Sequence, residues 1–393
     1  MSYAIGIDVG GTFTDIVAIA ADGAMTIAKA ASTPSDQSEG VMQGLALLAG
    51  RLGLGLPALL AATSRIVHGT MVATNALLEG KGARAGMLTT EGHRDAIEMR
   101  EGLKPDRYDL RSTPPPALVP RARRLAVRER MRADGGAETA LDTASLEAAL
   151  DRLAADGVES VAICFLHSWR NPAHERQAEA AARARLPHAF ITASADVLPE
   201  IKEFERFSTT VANALVGPLV RRYLERLQVL LAEAGFAGPL FIMLSHGGVA
   251  SVAEAVRLAA GTALSGPAGG VAALVALARQ GAGDDLIGLD MGGTSTDIAL
   301  VKGGQPFLSA ARGLGEARIA LPSLDIVTLG AGGGSIGHQA RSGLLQVGPQ
   351  SAGAAPGPAC YGAGGTQATV TDANLLLGYL DPAGLAGGAL ALD

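Results

Sequence analysis

The chain has 393 residues, 48% of them hydrophobic and 4% aromatic, and a formal net charge of −6. That length holds two or three domains with sizeable cores, and the acidic balance gives no electrostatic reason to expect nucleic acid or an anionic membrane as a partner. Two cysteines, Cys164 and Cys360, cannot build a disulfide framework, and no apolar run or leader-like start points to a membrane or export, so a soluble cytoplasmic protein is expected.

The first 31 residues predict three strands, 3–9, 14–20 and 25–31, with Asp22-Gly23 turning the second into the third. Ser35-Asp36 then caps a helix over 37–51, in which Val41, Leu45 and Leu48 share one face. Strands are expected at 66–69, 84–88 and 161–166 with helices between them, an α/β alternation. Between 98 and 141 the pattern breaks. Pro105, Pro114, Pro115, Pro116 and Pro120 exclude a long helix, and the arginine-dense stretch 121–132 reads as a solvated strand edge more readily than as an anion-binding face. The segment is expected to be an insertion on the α/β core. The alternation resumes with a helix over 146–156, the strand holding Cys164, a helix after Pro172 and a strand at 190–194. Residues 200–210, with Glu203, Glu205 and Arg206, are expected to form a hinge region, followed by an amphipathic helix over 218–234. A short strand, 240–244, leads to a glycine turn, and Pro267 lies in the first turn of a small-residue helix starting at Ser265.

The stretch 287–301 carries the chemistry. A short apolar run ends in Asp290, Gly292-Gly293-Thr294 make a tight turn, and Thr296, Ile298 and Leu300 start a second alternating strand. Glycine lets backbone N–H groups come close to an anion there, and an acid at the end of the first strand suits a hydrated divalent cation. The stretch 6–19 matches 288–301 at 8 of 14 positions without a gap, Asp8 answering Asp290 and Gly10-Gly11-Thr12 answering Gly292-Gly293-Thr294. The copies lie 282 residues apart, so a domain-sized unit is duplicated, and two such hairpins facing each other form a two-sided nucleotide clamp. Asp8 and Asp290 are the candidates for holding metal and positioning the reacting groups. Gly10, Gly11, Thr12, Thr14, Gly292, Gly293, Thr294, Ser295 and Thr296 are the candidates for phosphate contact. Asp15 and Asp297 read as hairpin stabilisers, and His68, His246 and His338 lack metal-ligand spacing and read as structural. The cluster Gly332-Gly333-Gly334 reads equally as a phosphate loop or as a tight chain reversal, and 348–365 as a long irregular loop of the kind that is often functional.

Paired DxGGT hairpins resemble the sugar kinase/Hsp70/actin superfamily. The wording GIDVGGTFTD, HGTMVATNALLEG, SGPAGGV, LDMGGTSTDIAL, SLDIVTLGAGGGSI, PGPACYG and TVTDANLLLGYLDP, running from Gly6 to Pro382, resembles specifically the hydantoinase A/5-oxoprolinase family. The resemblance implies α/β, duplicated actin/Hsp70-like (ribonuclease H-like) domains with a nucleotide cleft between them. One would span 1–195 with the insertion at about 98–141, the other 196–393, and the helix from Ser265 would be the interdomain pivot. It implies ATP with Mg2+, or Mn2+ as the alternative ion, a small cyclic amide substrate, a hydantoinase B-type subunit and an oligomeric assembly. The activity implied is ATP-dependent hydrolysis of a hydantoin, 5-oxoproline or related lactam, in which phosphorylation of the carbonyl oxygen makes an activated imidate phosphate that water can attack. No GxSxG elbow, HExxH or CxxC pair offers another route. Two alternatives stand beside it: the corresponding subunit of an ATP-dependent ketone carboxylase, and a nucleotide-gated regulatory module. The resemblance implies that the stretch 98–111 borders the substrate pocket, and Met71 stands where the family usually has threonine. Family members usually continue past the DANLLLG motif into a region that supplies adenosine contacts, so a complete adenine pocket is not expected from these residues alone.

Overall fold

The computed structural model describes residues 2–10, 13–33, 36–102, 108–111, 113, 115–353, 356–383 and 391–393. Gly11, Thr12, Ser35, Pro105 and Pro114 therefore lie outside the described residues.

Strand β1 (Tyr3–Val9) turns Tyr3, Ile5, Ile7 and Val9 inward and Asp8 outward, the period-two pattern its sequence carries. It pairs antiparallel with β2 (Phe13–Ala20), which pairs with β3 (Met25–Ala31). Helix α1 (Gln37–Arg51) follows, with the Asp36 side chain accepting from the Ser38 N–H as its cap. Its Val41, Leu45 and Leu48 pack into one core with Ile5, Ile7 and Ile16. Strand β4 (Thr63–Thr70) lies parallel to β1, and helix α2 (Val72–Leu78) leaves its end.

The chain then builds a second, all-parallel sheet from β5 (Ala85–Thr90), β6 (Arg124–Val127), β7 (Ser160–Cys164) and β8 (Phe190–Ala193), in the spatial order β8-β7-β5-β6. Helices α3 (Thr143–Ala155) and α4 (Ala173–Arg185) cover one face of it. The insertion thus contributes β6, the edge strand. Its arginines are not uniformly solvated: Arg124 is 2% exposed and pairs with Asp95 and Glu98.

The expected hinge at 200–210 is corrected by the structure. Residues Glu203–Glu233 form one 31-residue helix, α5, with Pro218 inside it. The helix expected over 218–234 thus begins fifteen residues earlier, at Glu203. Pro218 removes one N–H and crowds the preceding turn, but packing on both sides outweighs that cost. Phe207, Val211 and Ala214 pack on β5 and β7, and Val216, Val220, Leu224, Leu227 and Leu231 pack in the first core. After α5 the chain returns to the first sheet. Strands β9 (Leu240–Met243) and β10 (Val249–Ser251) complete the order β10-β9-β4-β1-β2-β3, so strands from both sides of residue 195 share this sheet.

Helix α6 (Ser265–Leu277) leads to the second hairpin, β11 (Leu286–Met291) and β12 (Thr296–Lys302), which β13 (Ile326–Leu329) joins. Ala268 and Val271 of α6 pack with Ala299, Leu324 and Ile326 in a small core. The two hairpins share register but not cover. Ile5 and Ile7 are at most 4% exposed, whereas the equivalent Ile287 and Leu289 are 69% and 70% exposed. Among the described residues no helix is long and apolar enough to cross a membrane.

Candidate functional site

The duplication is visible in the turns themselves. Gly10 N–H donates to the Phe13 carbonyl at 2.9 Å, and at the equivalent positions Gly292 N–H donates to the Ser295 carbonyl at 2.9 Å. Asp8 stands opposite Asp15 in β1 and β2, as Asp290 stands opposite Asp297 in β11 and β12. Asp15 is held by Lys29 at 2.7 Å and Asp297 by the Thr328 hydroxyl at 2.6 Å, so both brace their hairpins in the way the sequence suggests.

The two hairpins meet. Asp8 and Asp290 line one cavity of about 350 Å³, together with Asp15, Gly69, Ser265 and Gly266. Helix α6 draws them together: Ser265 Oγ donates to the Thr70 carbonyl at 2.9 Å and accepts from the Thr70 N–H at 3.0 Å, pinning the start of α6 to the end of β4. Two glycines leave space for the Asp8 carboxylate. A Cβ on Gly69 would lie 3.2 Å from Asp8 Oδ1, and one on Gly266 3.0 Å. Asp8 is open to the cavity but crowded by these walls. Desolvation, with Asp15 and then Asp290 adding like charge and Lys29 opposing, raises its pKa from 3.8 to about 6.

The remaining expected phosphate residues separate into a tip and a brace. Gly292, Gly293 and Thr294 are exposed at the tip, with Ser295 half-buried beside them. Thr14 and Thr296 point inward instead. The Thr14 hydroxyl pairs with Ser32 at 3.2 Å, and that of Thr296 donates to the Ala331 carbonyl at 2.5 Å, so it has no proton left for a phosphate. The glycine cluster is likewise a brace. Gly332 N–H donates to Ser335 Oγ, Gly333 N–H to the Gly292 carbonyl and Gly334 N–H to the Gly293 carbonyl. All three amide protons are thereby engaged, and Gly332, Gly333 and Gly334 support the turn from behind, the tight-reversal alternative.

His68 is buried and bonds the Tyr223 hydroxyl at 2.8 Å, while His246 and His338 are exposed and apart from the cavity. Both cysteines are free and buried. Among the described residues no group of three or more His, Cys, Asp or Glu side chains is arranged to hold a metal by itself. Sequence reasoning missed Gly69, Ser265 and Gly266 as walls of the site; the small-residue start of α6 was the signal available.

The model of the hydantoinase/oxoprolinase N-terminal region matches residues 4–186, and the hydantoinase/oxoprolinase model matches residues 206–393. The chain belongs to the hydantoinase/oxoprolinase family. It is 44% identical over 393 residues to the caprolactamase subunit alpha of Pseudomonas jessenii, covering 100% of this chain and 56% of that protein. The crystal structure of ATP-dependent caprolactamase from the same organism superimposes with a TM-score of 0.86, covering 100% of this chain and 57% of that one. A nucleotide-free acetone carboxylase structure gives a TM-score of 0.84 at 29% identity, with 100% and 57% covered. The chain thus spans about half the length of the curated relatives it matches.

Proposed function

We propose that this chain is the ATP-binding, carbonyl-phosphorylating part of an ATP-dependent hydrolase of cyclic amides, lactams above all. The observation that carries this reading is the convergence of Asp8 and Asp290, one from each copy of the duplicated hairpin, on a single cavity. The 44% identity with a protein named caprolactamase subunit alpha supports the lactam class. In this reading residues 1–195 and 196–393 each supply one side of the clamp, and a companion B-type subunit completes the hydrolysis.

The donor set suits Mg2+. Two carboxylates, with no group of three or more His, Cys, Asp or Glu arranged to hold a metal among the described residues, leave the other positions to phosphate oxygens and water, the arrangement Mg2+ favours. Bound there, ATP would supply the phosphoryl group that activates the amide carbonyl carbon towards water, so that the ring C–N bond can break. The chain's own residues would position and neutralise: Asp8 and Asp290 would hold the ion, and the exposed tip at Gly292, Gly293 and Thr294 would present backbone to the phosphates.

The raised Asp8 pKa sets a pH dependence. The folded chain holds the Asp8 proton more tightly than the unfolded chain, so its contribution to stability falls as pH rises from 3.8 to about 6 and stays low above that. Ion binding needs the carboxylate. Affinity for Mg-nucleotide is therefore expected to rise by up to about tenfold per pH unit towards pH 6 and to level off above it. Calorimetry across that range tests this, and a flat profile would remove Asp8 from the ion site.

The overall reading is tested by ATPase assays of the chain with its companion subunit. Stimulation by a panel of hydantoin, 5-oxoproline and lactams is the expected result. Stimulation only by a ketone together with bicarbonate would favour a carboxylase, the reading that the acetone carboxylase likeness supports. Slow turnover indifferent to both would favour a regulatory module.

A further inference from the structure

The second sheet carries a polar cluster that the hairpin site does not use. In a parallel sheet, ligands bind outside the carboxyl ends of the strands. Here β5 ends at Thr90, β6 at Val127 and β7 at Cys164. Just beyond these ends lie His93, Glu129-Arg130 and His167. The end of the sheet is rigidly built. Glu129, 3% exposed, accepts from the Thr90 hydroxyl and bonds His174 Nδ1 at 2.7 Å. Leu166 N–H donates to Thr90 Oγ1 at 2.8 Å, and Phe165 N–H to the buried Glu175 at 2.8 Å.

On this base stand groups whose hydrogen-bonding capacity is unfilled. Arg130, half-buried, makes no ion pair among the described residues and donates Nη1–H to His93 Nε2 at 3.0 Å. His93 therefore accepts as the neutral ring. Burial first, and then the Arg130 charge, lowers its pKa, consistent with that form. His167 sits at φ 55°, a left-handed backbone, with its Nδ1 buried and unpartnered. Strain of that kind together with an orphaned ring nitrogen is found where a ligand completes the site. Glu203, at the start of α5, acts on the same His93 and forms no ion pair among the described residues. Arg130 and Glu203, neither in an ion pair among the described residues, thus both act on His93, and His167 is close enough to act on the same ring.

We propose that this carboxyl edge binds a linear amino acid with its two charges at opposite ends, the carboxylate on Arg130 and the ammonium on Glu203, with His167 Nδ1 gaining its missing partner. Cleavage of the ring C–N bond of a lactam by water leaves a molecule of that class, so the physiological ligand rests on the proposed hydrolysis while the binding chemistry does not. The site is separate from the hairpin cavity and shares no residue with it.

The test uses δ-aminovalerate as probe, with valerate and pentylamine as single-charge controls, in the absence of ATP. Calorimetry, with NMR of the His93 and His167 rings, is expected to show saturable binding of δ-aminovalerate and at least about tenfold weaker binding of either control, the equivalent of about 1.4 kcal/mol. Arg130→Gln should erase the preference over pentylamine, and Glu203→Gln the preference over valerate, each with basal ATP turnover unchanged. His167→Asn, a residue that tolerates the left-handed backbone, should weaken the probe and shift the His93 signal even if Arg130→Gln folds poorly. Equal binding of valerate and δ-aminovalerate, unmoved histidine signals, or wild-type binding in Arg130→Gln and Glu203→Gln would each overturn the site. Binding of the probe without lactam-stimulated ATPase would leave this site standing and remove the lactam reading instead.

Discussion

Replacing Asp8 by Asn is expected to lower nucleotide turnover by about a hundredfold or more, and Asp290→Asn by a similar factor. Both carboxylates face one cavity, one from each hairpin, so under the proposed clamp each would supply half of a two-sided hold on the same ion. Truncating one partner of such a charge-assisted contact costs about 2–5 kcal/mol, and about 1.4 kcal/mol corresponds to a tenfold change. Because they act on one ion, the double variant should lose little beyond either single one, a non-additivity that independent sites would not give. The fold should survive. Asp8 is a crowded carboxylate under like-charge pressure from Asp15 and Asp290, so neutralising it should leave thermal stability above pH 6 unchanged or higher. Turnover assays read beside circular dichroism melts check both halves of this expectation. Wild-type rates in both variants would dismantle the clamp.

How far the sequence discloses this molecule depends on whether the information is local. The first hairpin, α1 and the second hairpin were legible because period-two alternation, an Asp cap and the DxGGT turn are all written within a few residues. The long helix α5 was not. Pro218 and the charged 200–210 stretch argue locally for a break, and only the packing of Phe207 and Val211 on one sheet and Leu224 and Leu227 on the other keeps the helix continuous. The return of β9 and β10 to the first sheet was hidden for a related reason: a four-residue strand says nothing about which distant edge it joins. At the site, Asp8 and Asp290 could be named from the repeat, yet their shared cavity depends on Ser265 reaching Thr70 across 195 positions. Thr14 and Thr296 were read as phosphate donors because hydroxyls near such turns often are. The inward face of the strand assigns them to bracing, and alternation alone contained that answer. Arg130, His93 and His167 had no motif at all; three separate strand ends bring them together.

The second large effect separates Gly293, at the tip of the second hairpin, from Gly332, in the glycine loop that braces it. Gly332 lies behind the turn. A Cβ there would stand 2.7 Å from the Gly292 carbonyl oxygen and 2.8 Å from both Gly293 C and Ser295 N, all of them backbone atoms that cannot rotate away. Gly332→Ala is therefore expected to cost about 1–3 kcal/mol of stability through overpacking and to displace the turn. Gly293 lies in front of it, where an added Cβ meets nothing within 4 Å and the backbone is not left-handed. Gly293→Ala should leave stability within about 0.5 kcal/mol of the wild type, as surface changes do. If the tip embraces a phosphate, however, that methyl occupies the space the anion needs, and Mg-nucleotide affinity should fall by about tenfold or more. Melting temperatures and calorimetry on the two variants give opposite patterns under this geometry: a stability loss at 332, and a binding loss without a stability loss at 293. Undiminished nucleotide affinity in Gly293→Ala would mean that the phosphates do not sit on the tip of the second hairpin, whatever Asp290 does beside it.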